Sequence, residues 1–150
     1  MIRTALLDDL DRLEILEQSS FFCDSVNRRS MRHFLRSDAA VILLDERDGV
    51  LRGHVVVRFN ARHGIARIYS IAVDRECQGQ GVGLALVAAA EAAARARGRS
   101  KVRLEISVDN AASQALFKRA GYVVFGEYEE YYEDGGAALR LEKRIGDSPT

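Results

Sequence analysis

The sequence predicts a mixed α/β fold, in which a mostly antiparallel sheet carries flanking helices. Three observations support this class: β-rich runs between residues 40 and 73, an Ala- and Leu-rich helical run at 84–96, and a strand, a helix and a hairpin after it. The length of 150 residues suits one domain, and the 47% hydrophobic content argues against a disordered chain. We expect a single domain over residues 1–146 and a frayed tail at 147–150.

The first half of the chain is predicted to form two helices and four strands. Leucines at every third position from Leu7 to Leu16, with acids at positions 8 and 9, are typical of an amphipathic helix. Polar turns at 45–49 and at Arg62–Gly64 separate β-rich runs and predict antiparallel hairpins. The predicted bounds are a strand at 2–5, a helix at 7–16, a loop at 19–27, a short helix around 31–35, and strands at 40–44, 50–59 and 65–73.

The second half is predicted to add two helices and three strands. Residues 84–96 favour a helix that ends before Gly98, and apolar residues at alternate positions from 102 to 108 predict a strand with one apolar face. Asp109 or Asn110 is expected to cap a helix over 111–120. Strands at 122–132 and 137–145 then flank a turn at 134–136. The predicted order is β-α-α-β-β-β-α-β-α-β-β.

Charge and cysteine content exclude several classes of protein. The 22 basic and 22 acidic residues give zero net charge, whereas a nucleic-acid-binding domain is usually basic, so no nucleic-acid partner is expected. The two cysteines and three histidines lie at no metal-ligand spacing, which predicts ordinary packing or surface positions and no metal. No apolar run is long enough to span a membrane, and the first residues include acids. We therefore expect a cytoplasmic protein with no membrane partner.

A glycine-rich turn, Gln78-Gly-Gln-Gly-Val-Gly83, follows the fourth strand and leads into the Ala-rich helix. Glycines let the backbone approach a ligand closely, and the unpaired N–H groups at a helix start attract an anion such as a pyrophosphate. The turn is not a P-loop, since no Lys-Ser/Thr follows it, and it is not the dinucleotide fingerprint, since Leu84 follows and the strand is the fourth. On the glycines alone, a turn without a ligand stays open as an alternative.

Two motifs resemble the GNAT N-acetyltransferase superfamily. The turn at 78–83 is similar to its acyl-CoA pyrophosphate loop, and Asn110-Ala-Ala-Ser-Gln-Ala-Leu-Phe-Lys-Arg-Ala-Gly-Tyr122 resembles its Asn-x-x-Ala-x-x-Leu-Tyr-x-x-x-Gly-Phe segment. The resemblance covers about residues 2–145 and implies the GNAT fold. Two further stretches, 104–110 and 131–143, resemble the ribosomal-protein-alanine and protein N-terminal α-amine acetyltransferases.

The resemblance implies acetyl-CoA as the cosubstrate and direct attack of an amine on its thioester. It implies splayed fourth and fifth strands, and a bulge near Ile71 or Ala72 with a free N–H for the oxyanion. Asn110 is alternatively an ordinary helix cap. The implied cofactor-binding residues are Ile71, Ala72 and Val73 along the pantetheine arm, Gln78, Gly79, Gln80, Gly81, Val82 and Gly83 at the pyrophosphate, and Asn110 and Phe117 on the next helix.

Glu105 matches the glutamate that serves as general base in the N-terminal acetyltransferases. An α-ammonium group, with a pKa of about 8, must lose a proton before its nitrogen attacks the thioester. A surface glutamate paired with an arginine across the sheet is the alternative. The resembling family has a tyrosine that serves as general acid for the CoA thiolate, and Phe117 stands at that position here. Another group, such as another tyrosine, therefore protonates the thiolate, or the thiolate leaves unassisted. In either case we expect slow chemistry. The candidate tyrosines are Tyr122, Tyr131 and Tyr132, of which the last two are also implied to hold a peptide backbone.

Two charged stretches offset each other along the chain. Five acids at 127–134 are expected to attract a cationic amine, and five bases at 95–103 to face the CoA phosphates, although solvated faces are the alternative. The sequence thus predicts an N-acetyltransferase, with a protein or peptide N-terminal amine as the favoured acceptor. A small amine (a polyamine, amino sugar or antibiotic) and a non-catalytic acyl-CoA-binding regulatory module are the alternatives, and a homodimer is left open.

Overall fold

A seven-stranded sheet and four α-helices make up the fold of the described chain. The structure, a computed structural model, describes residues 1–19, 26–59, 64–131 and 135–146. The strands are β1 (Ile2–Thr4), β2 (Ala40–Arg47), β3 (Val50–Phe59), β4 (Ile65–Val73), β5 (Lys101–Ser107), β6 (Val123–Tyr128) and β7 (Ala138–Arg144), and the helices are α1 (Leu10–Ser19), α2 (Arg28–Arg36), α3 (Val82–Ala96) and α4 (Ala111–Arg119). The predicted element order and the mostly antiparallel character of the sheet are confirmed.

Several element boundaries differ from the predictions because local turns decide them. A 3₁₀ turn occupies Leu7–Asp9, so α1 begins only at Leu10. β2 runs on to Arg47, because Asp48 and Gly49, with φ of 53° and 78°, form the hairpin turn alone. β6 ends at Tyr128, four residues before its predicted end. Positions 20–25, 60–63, 134 and 147–150, on which the predicted loop, turns and tail fall, lie outside the described residues.

Two apolar layers cover opposite faces of the sheet. Alternating residues of β3 divide between them: Val55 packs in the layer under α3, whereas Val56 packs in the layer under α1 and α2. The α3 layer extends through β5 to Phe117 of α4, and the other layer is centred on Leu13 and Met31. The facing edges of β4 and β5 lie at the middle of the sheet, between these two layers.

The β4 and β5 strands begin as a parallel pair and then separate. Their pairing stops at Arg67 opposite Arg103, although β4 continues beside β3 to Val73 and β5 continues beside β7 to Ser107. The strand order is β1-β2-β3-β4-β5-β7-β6, so the opening lies inside the sheet. This separation confirms the predicted splay. No helix among the described residues is long and apolar enough to cross a membrane.

A bulge interrupts β4 just inside the splay. Val56 of β3 pairs with Ser70 and Val57 pairs with Ile68, so Tyr69 is the extra residue on β4. The bulge therefore lies two residues before Ile71, close to the position near Ile71 or Ala72 that the resemblance implied. Because of the bulge, the successive side chains of Tyr69 and Ser70 both face the helices α1 and α2. Tyr69 packs against Phe34 of α2, and Ser70 donates to Glu17 of α1.

Candidate active site

The glycine turn has the backbone geometry that an anion site requires. Gly79 and Gly81 have φ of 79° and 80°, which side-chain-bearing residues rarely adopt. Gly81 is the N-cap of α3 and supplies no side-chain cap, so the first N–H groups of the helix point outward uncapped. The positive end of the helix dipole lies behind them. This arrangement suits a pyrophosphate.

An open cleft of about 290 Å³ separates this turn from α4. The α4 wall presents Ala112, Ala115 and Arg119, three positions on one helical face. The two alanines leave room for a ligand, and Arg119 places a cation beside the anion site. Sequence reasoning missed Arg119, although the spacing of 112, 115 and 119 was a signal for it. A Cβ at Gly83 would lie 3.2 Å from Leu116, so the glycine lets α3 and α4 approach closely.

The backbone of β4 leads from the splay to this cleft. Ile71, Ala72 and Val73 are buried and pair with β3 on one side, while their other edge faces the opening. Val73 also lines the cleft. An open strand edge that ends at an anion site fits a pantetheine arm followed by a pyrophosphate, so the residues present fit acetyl-CoA.

Cys77 lines the same cleft without being activated. Burial, and secondarily the carboxylate of Asp74, raise the pKa of the Cys77 thiol above its ordinary value. A raised pKa keeps the sulfur protonated at neutral pH, whereas a nucleophilic cysteine needs the thiolate. Cys77 therefore acts as a wall of the cleft.

Two predicted cofactor contacts have structural roles in the fold. The Asn110 side chain accepts a hydrogen bond from the Ser113 N–H at 3.0 Å and caps α4, so its helix-cap interpretation is confirmed. Phe117 is 1% exposed and packs edge-on against Tyr122, with 5.2 Å between ring centroids. Neither residue is among the described residues that line the cleft.

Glu105 lies at the mouth of the splay, on the side away from α3. Its side chain is 8% exposed and forms an ion pair with Arg67 of β4. Arg67 Nη2 also donates to the Tyr131 hydroxyl at 3.1 Å. A pocket is built around these groups, with Glu129 and Glu130 at its rim. The structure thus brings Glu105 and Tyr131 together, and the predicted Glu–Arg pair is present as well.

Tyr122 is held in the core and is not available as an acid. Its hydroxyl donates to Glu91 Oε2 at 2.9 Å, and Lys143 Nζ lies 3.1 Å from the other carboxylate oxygen. Burial, and then Glu91, raise the pKa of Tyr122 far above its ordinary value. Of the three candidate tyrosines, Tyr122 is therefore unsuited to protonate the thiolate. Tyr132 lies outside the described residues.

The family is decided by comparison with known proteins. Residues 7–122 match the model of the acetyltransferase (GNAT) family. The chain belongs to this family. GNAT enzymes bind acetyl-CoA and an amine acceptor, and this chain is a GNAT N-acetyltransferase with a fold to match.

Individual relatives of this GNAT enzyme are moderately similar. A Bacillus subtilis (strain 168) protein with the provisional name ribosomal protein bS18-alanine N-acetyltransferase is 29% identical over 135 residues, which cover 90% of this chain and 88% of that protein. The ribosomal-protein-S18-alanine N-acetyltransferase of Escherichia coli has a TM-score of 0.86 at 22% identity, covering 100% of this chain and 98% of that chain. Ard1 of Thermoplasma volcanium has a TM-score of 0.86 at 24% identity, with 98% of both chains covered. At these identities the solved structures show a shared fold.

The basic stretch of this GNAT enzyme does not face the cofactor cleft. Arg97 lies over the Phe59 ring, 4.0 Å from its centroid, and Lys101 and Arg103 both pair with Glu142. The stretch begins at the C-terminal end of α3, and the 15 residues of that helix separate the two ends by about 22 Å. The geometry therefore favours the alternative of a solvated face for this stretch, and Arg119 is the basic residue that lines the cleft.

The acidic stretch is divided between the site and its surroundings. Glu129 and Glu130 line the Glu105 pocket. Glu127 is part of β6, and Glu133 and Asp134 lie outside the described residues. Among the described residues, no group of three His, Cys, Asp or Glu side chains is arranged to hold a metal ion.

Proposed function

We propose that this GNAT enzyme acetylates the free α-amino group of a protein or peptide N-terminus. The observation that carries the proposal is the cluster of Glu105, Arg67 and Tyr131 at the mouth of the β4–β5 splay. The cluster faces a pocket with an acidic rim, while the anion site lies beyond the end of β4. The name of the Bacillus subtilis relative, an alanine N-acetyltransferase for a ribosomal protein, supports the same acceptor.

Glu105 has the role of proton acceptor in this proposal. An α-ammonium group, with a pKa of about 8, loses a proton far more readily than a lysine side chain, whose pKa is about 10.4. Glu105 takes that proton, and the neutral amine attacks the thioester carbonyl carbon. The C–N bond forms, the C–S bond breaks, and the electron pair leaves on sulfur. Backbone N–H groups of β4 near Ile71 polarise the carbonyl oxygen.

Arg67 and Tyr131 complete the acceptor side of the site. Arg67 links the two groups, since its guanidinium pairs with Glu105 and donates to the Tyr131 hydroxyl. Tyr131 is assigned as the proton donor to the departing thiolate, in the role that Phe117 lacks the chemistry to fill. Because a thiol has a pKa of about 8.5, the thiolate is a tolerable leaving group, and turnover does not depend wholly on this acid.

A panel of amines tests the acceptor assignment. CoA thiol release is measured with acetyl-CoA and N-terminal peptides, N-terminally blocked versions of the same peptides that retain a lysine, polyamines and aminoglycosides. We expect turnover with the free N-terminal peptides and none with the blocked ones. Small amines are the second candidate because Glu129 and Glu130 suit a multiply charged acceptor. Faster turnover of polyamines or aminoglycosides than of every peptide would contradict the proposal.

A further inference from the structure

A second buried carboxylate lies on the other wall of the splay. Glu17, near the end of α1, is 4% exposed and joins three elements. Its Oε1 accepts from the Ser70 hydroxyl of β4 at 2.7 Å and lies 3.0 Å from Nε2 of His54 on β3. Its Oε2 accepts from the Val26 N–H, just before α2, at 2.9 Å. His54 is fully buried, so the cluster is closed to solvent on that side.

Ser70 is the member of this cluster that lies on β4, beyond the point where β4 and β5 stop pairing. It lies between the bulge residue Tyr69 and Ile71, the first residue of the pantetheine-pairing segment. The bulge turns its hydroxyl toward Glu17 on the acceptor side of the sheet, and the side chain is only half-buried. Glu105 approaches the same opening from β5. Two carboxylates therefore face the splay, one directly and one through a hydroxyl.

The chemistry of the reaction needs more than one proton acceptor. An ammonium group carries three protons and the amide nitrogen that it becomes carries one, so two protons leave the nitrogen in each turnover. The first leaves before attack, and the second leaves after the C–N bond has formed. After attack the nitrogen is far more acidic than a free ammonium group, so a weak carboxylate base suffices for the second proton.

We infer that Ser70 and Glu17 form a relay that takes the second proton from the acceptor nitrogen. Ser70 is the catalytic residue of the relay, since its hydroxyl meets the nitrogen, and Glu17 acts through it as a positioning residue and final acceptor. The inference rests on the proposed amine acetylation and adds a second base to it.

The protons balance over one turnover. Ser70 Oγ accepts the proton of the tetrahedral nitrogen as its own proton passes to Glu17, and the C–S bond then breaks. One of the two released protons converts the thiolate to the thiol, and the other goes to solvent. Burial acts most strongly on Glu17 and raises its pKa, but His54, Ser70 and the Val26 N–H together outweigh it, so the pKa of Glu17 lies below its ordinary value. Glu17 is therefore ionised and ready to accept at neutral pH.

A matched pair of substitutions separates a proton relay from packing. Ser70→Thr keeps the hydroxyl, and Ser70→Val has the shape of threonine without it. We expect Ser70→Val to lower kcat by about 10²-fold, with KM for the peptide and for acetyl-CoA unchanged, and Ser70→Thr to stay close to the wild-type rate. Thermal unfolding of both variants checks that they are folded to the same extent.

A double variant tests whether the two bases serve different protons. If they do, the fold reduction in kcat of the double variant Glu105→Gln/Ser70→Val equals the product of the reductions in the two single variants. Equal rates for Ser70→Thr and Ser70→Val, or a change confined to KM, would overturn the relay. If the enzyme acetylates only small amines, that result contradicts the proposed acceptor and not the relay. Ser70→Thr and Ser70→Val are then compared with that small amine as acceptor, because its nitrogen loses the same two protons.

Discussion

At the scale of single residues, the proposed role of Glu105 as the base rests on where its carboxylate lies. The carboxylate is nearly buried, held by Arg67, and close to a pocket whose rim carries further acids. A base in such a position is fixed before the substrate arrives, so little ordering is required at the moment of proton transfer. The same carboxylate would be an ordinary cross-strand ion pair without the opening beside it.

Replacement of Glu105 should impair chemistry more than binding. We expect Glu105→Gln to lower kcat/KM for an N-terminal peptide by about 10²-fold or more near neutral pH, with partial recovery at high pH where the free amine is abundant. The measurement is a pH–rate profile by thiol release. Glu142→Gln is the control, since Glu142 pairs with Lys101 and Arg103 on the same sheet face. An unchanged profile for Glu105→Gln would remove it as the base.

Sequence reasoning reached Glu105 and the glycine turn because each belongs to a short local pattern. It missed Arg67 and the Ser70–Glu17 relay because their partners are distant along the chain. Arg67 and Glu105 are 38 positions apart, and Ser70 and Glu17 are 53 positions apart. The pairing of β4 with β5 brings Arg67 close to Glu105, and the packing of α1 on the bulged part of β4 brings Glu17 to Ser70. Tyr122 stayed among the candidate acids for the same reason, since its partner Glu91 lies 31 positions earlier, on α3.

At the scale of elements, α3 and α4 build the cofactor cleft together. The uncapped start of α3 supplies N–H groups, and Arg119 on α4 supplies the charge. The sequence pointed to the basic stretch at 95–103, but that stretch adjoins the C-terminal end of α3, whereas the glycine turn and Arg119 lie at its N-terminal end. Helix length and direction settle this point, and local composition does not.

Arg119 should contribute to acetyl-CoA binding. We expect Arg119→Ala to raise KM for acetyl-CoA about tenfold, with KM for the peptide unchanged and a weaker dependence of the cofactor KM on salt. The control is Arg99→Ala, because Arg99 lies at the far end of α3 and donates to the Arg97 carbonyl oxygen. An effect of Arg99→Ala as large as that of Arg119→Ala would contradict the orientation of the cleft.

The contact between β3 and α3 sets how closely the sheet approaches the cofactor helix. A Cβ at Gly53 would lie 2.8 Å from the Ala72 carbonyl oxygen and 2.9 Å from Leu86 Cδ1. We expect Gly53→Ala to lower the free energy of unfolding by about 1–3 kcal/mol, as overpacking does, and to lower activity by shifting β4. Urea unfolding measures the change. Gly126→Ala is the control, since its Cβ would lie 3.4 Å from the flexible Arg140 side chain.

At the scale of the whole molecule, buried carboxylates tie the N-terminal segment to the sheet. Asp9 accepts from Arg3, Arg12 and the Leu6 N–H, and the hydrogen bond from Arg3 is the main reason that its pKa is lowered far below the ordinary value. Glu17 joins α1 to β3 and β4 in the same way. The zero net charge of the chain thus conceals local charge pairs that hold the acceptor side together.

These lowered pKa values predict a loss of stability in acid. A carboxylate whose folded pKa is depressed stabilises the fold above its unfolded pKa, and that contribution disappears as the pH falls toward the folded pKa. We expect the free energy of unfolding to decline from about pH 5 downward, and Asp9→Asn to lower it at pH 7 and to flatten the decline. Urea titrations at several pH values measure both effects. Asp11→Asn, at an exposed position, is the control, and an unaltered acid slope in Asp9→Asn would contradict the assignment.

The decisive measurement is the position of the acetyl group on a peptide that carries both a free N-terminus and a lysine. The peptide is incubated with the enzyme and acetyl-CoA, and tandem mass spectrometry locates the modification. Acetylation of the α-amino group, abolished or strongly reduced in Glu105→Gln, is the predicted result. Acetylation of the lysine alone, or equal α-amino acetylation by wild type and Glu105→Gln, would contradict the proposed site.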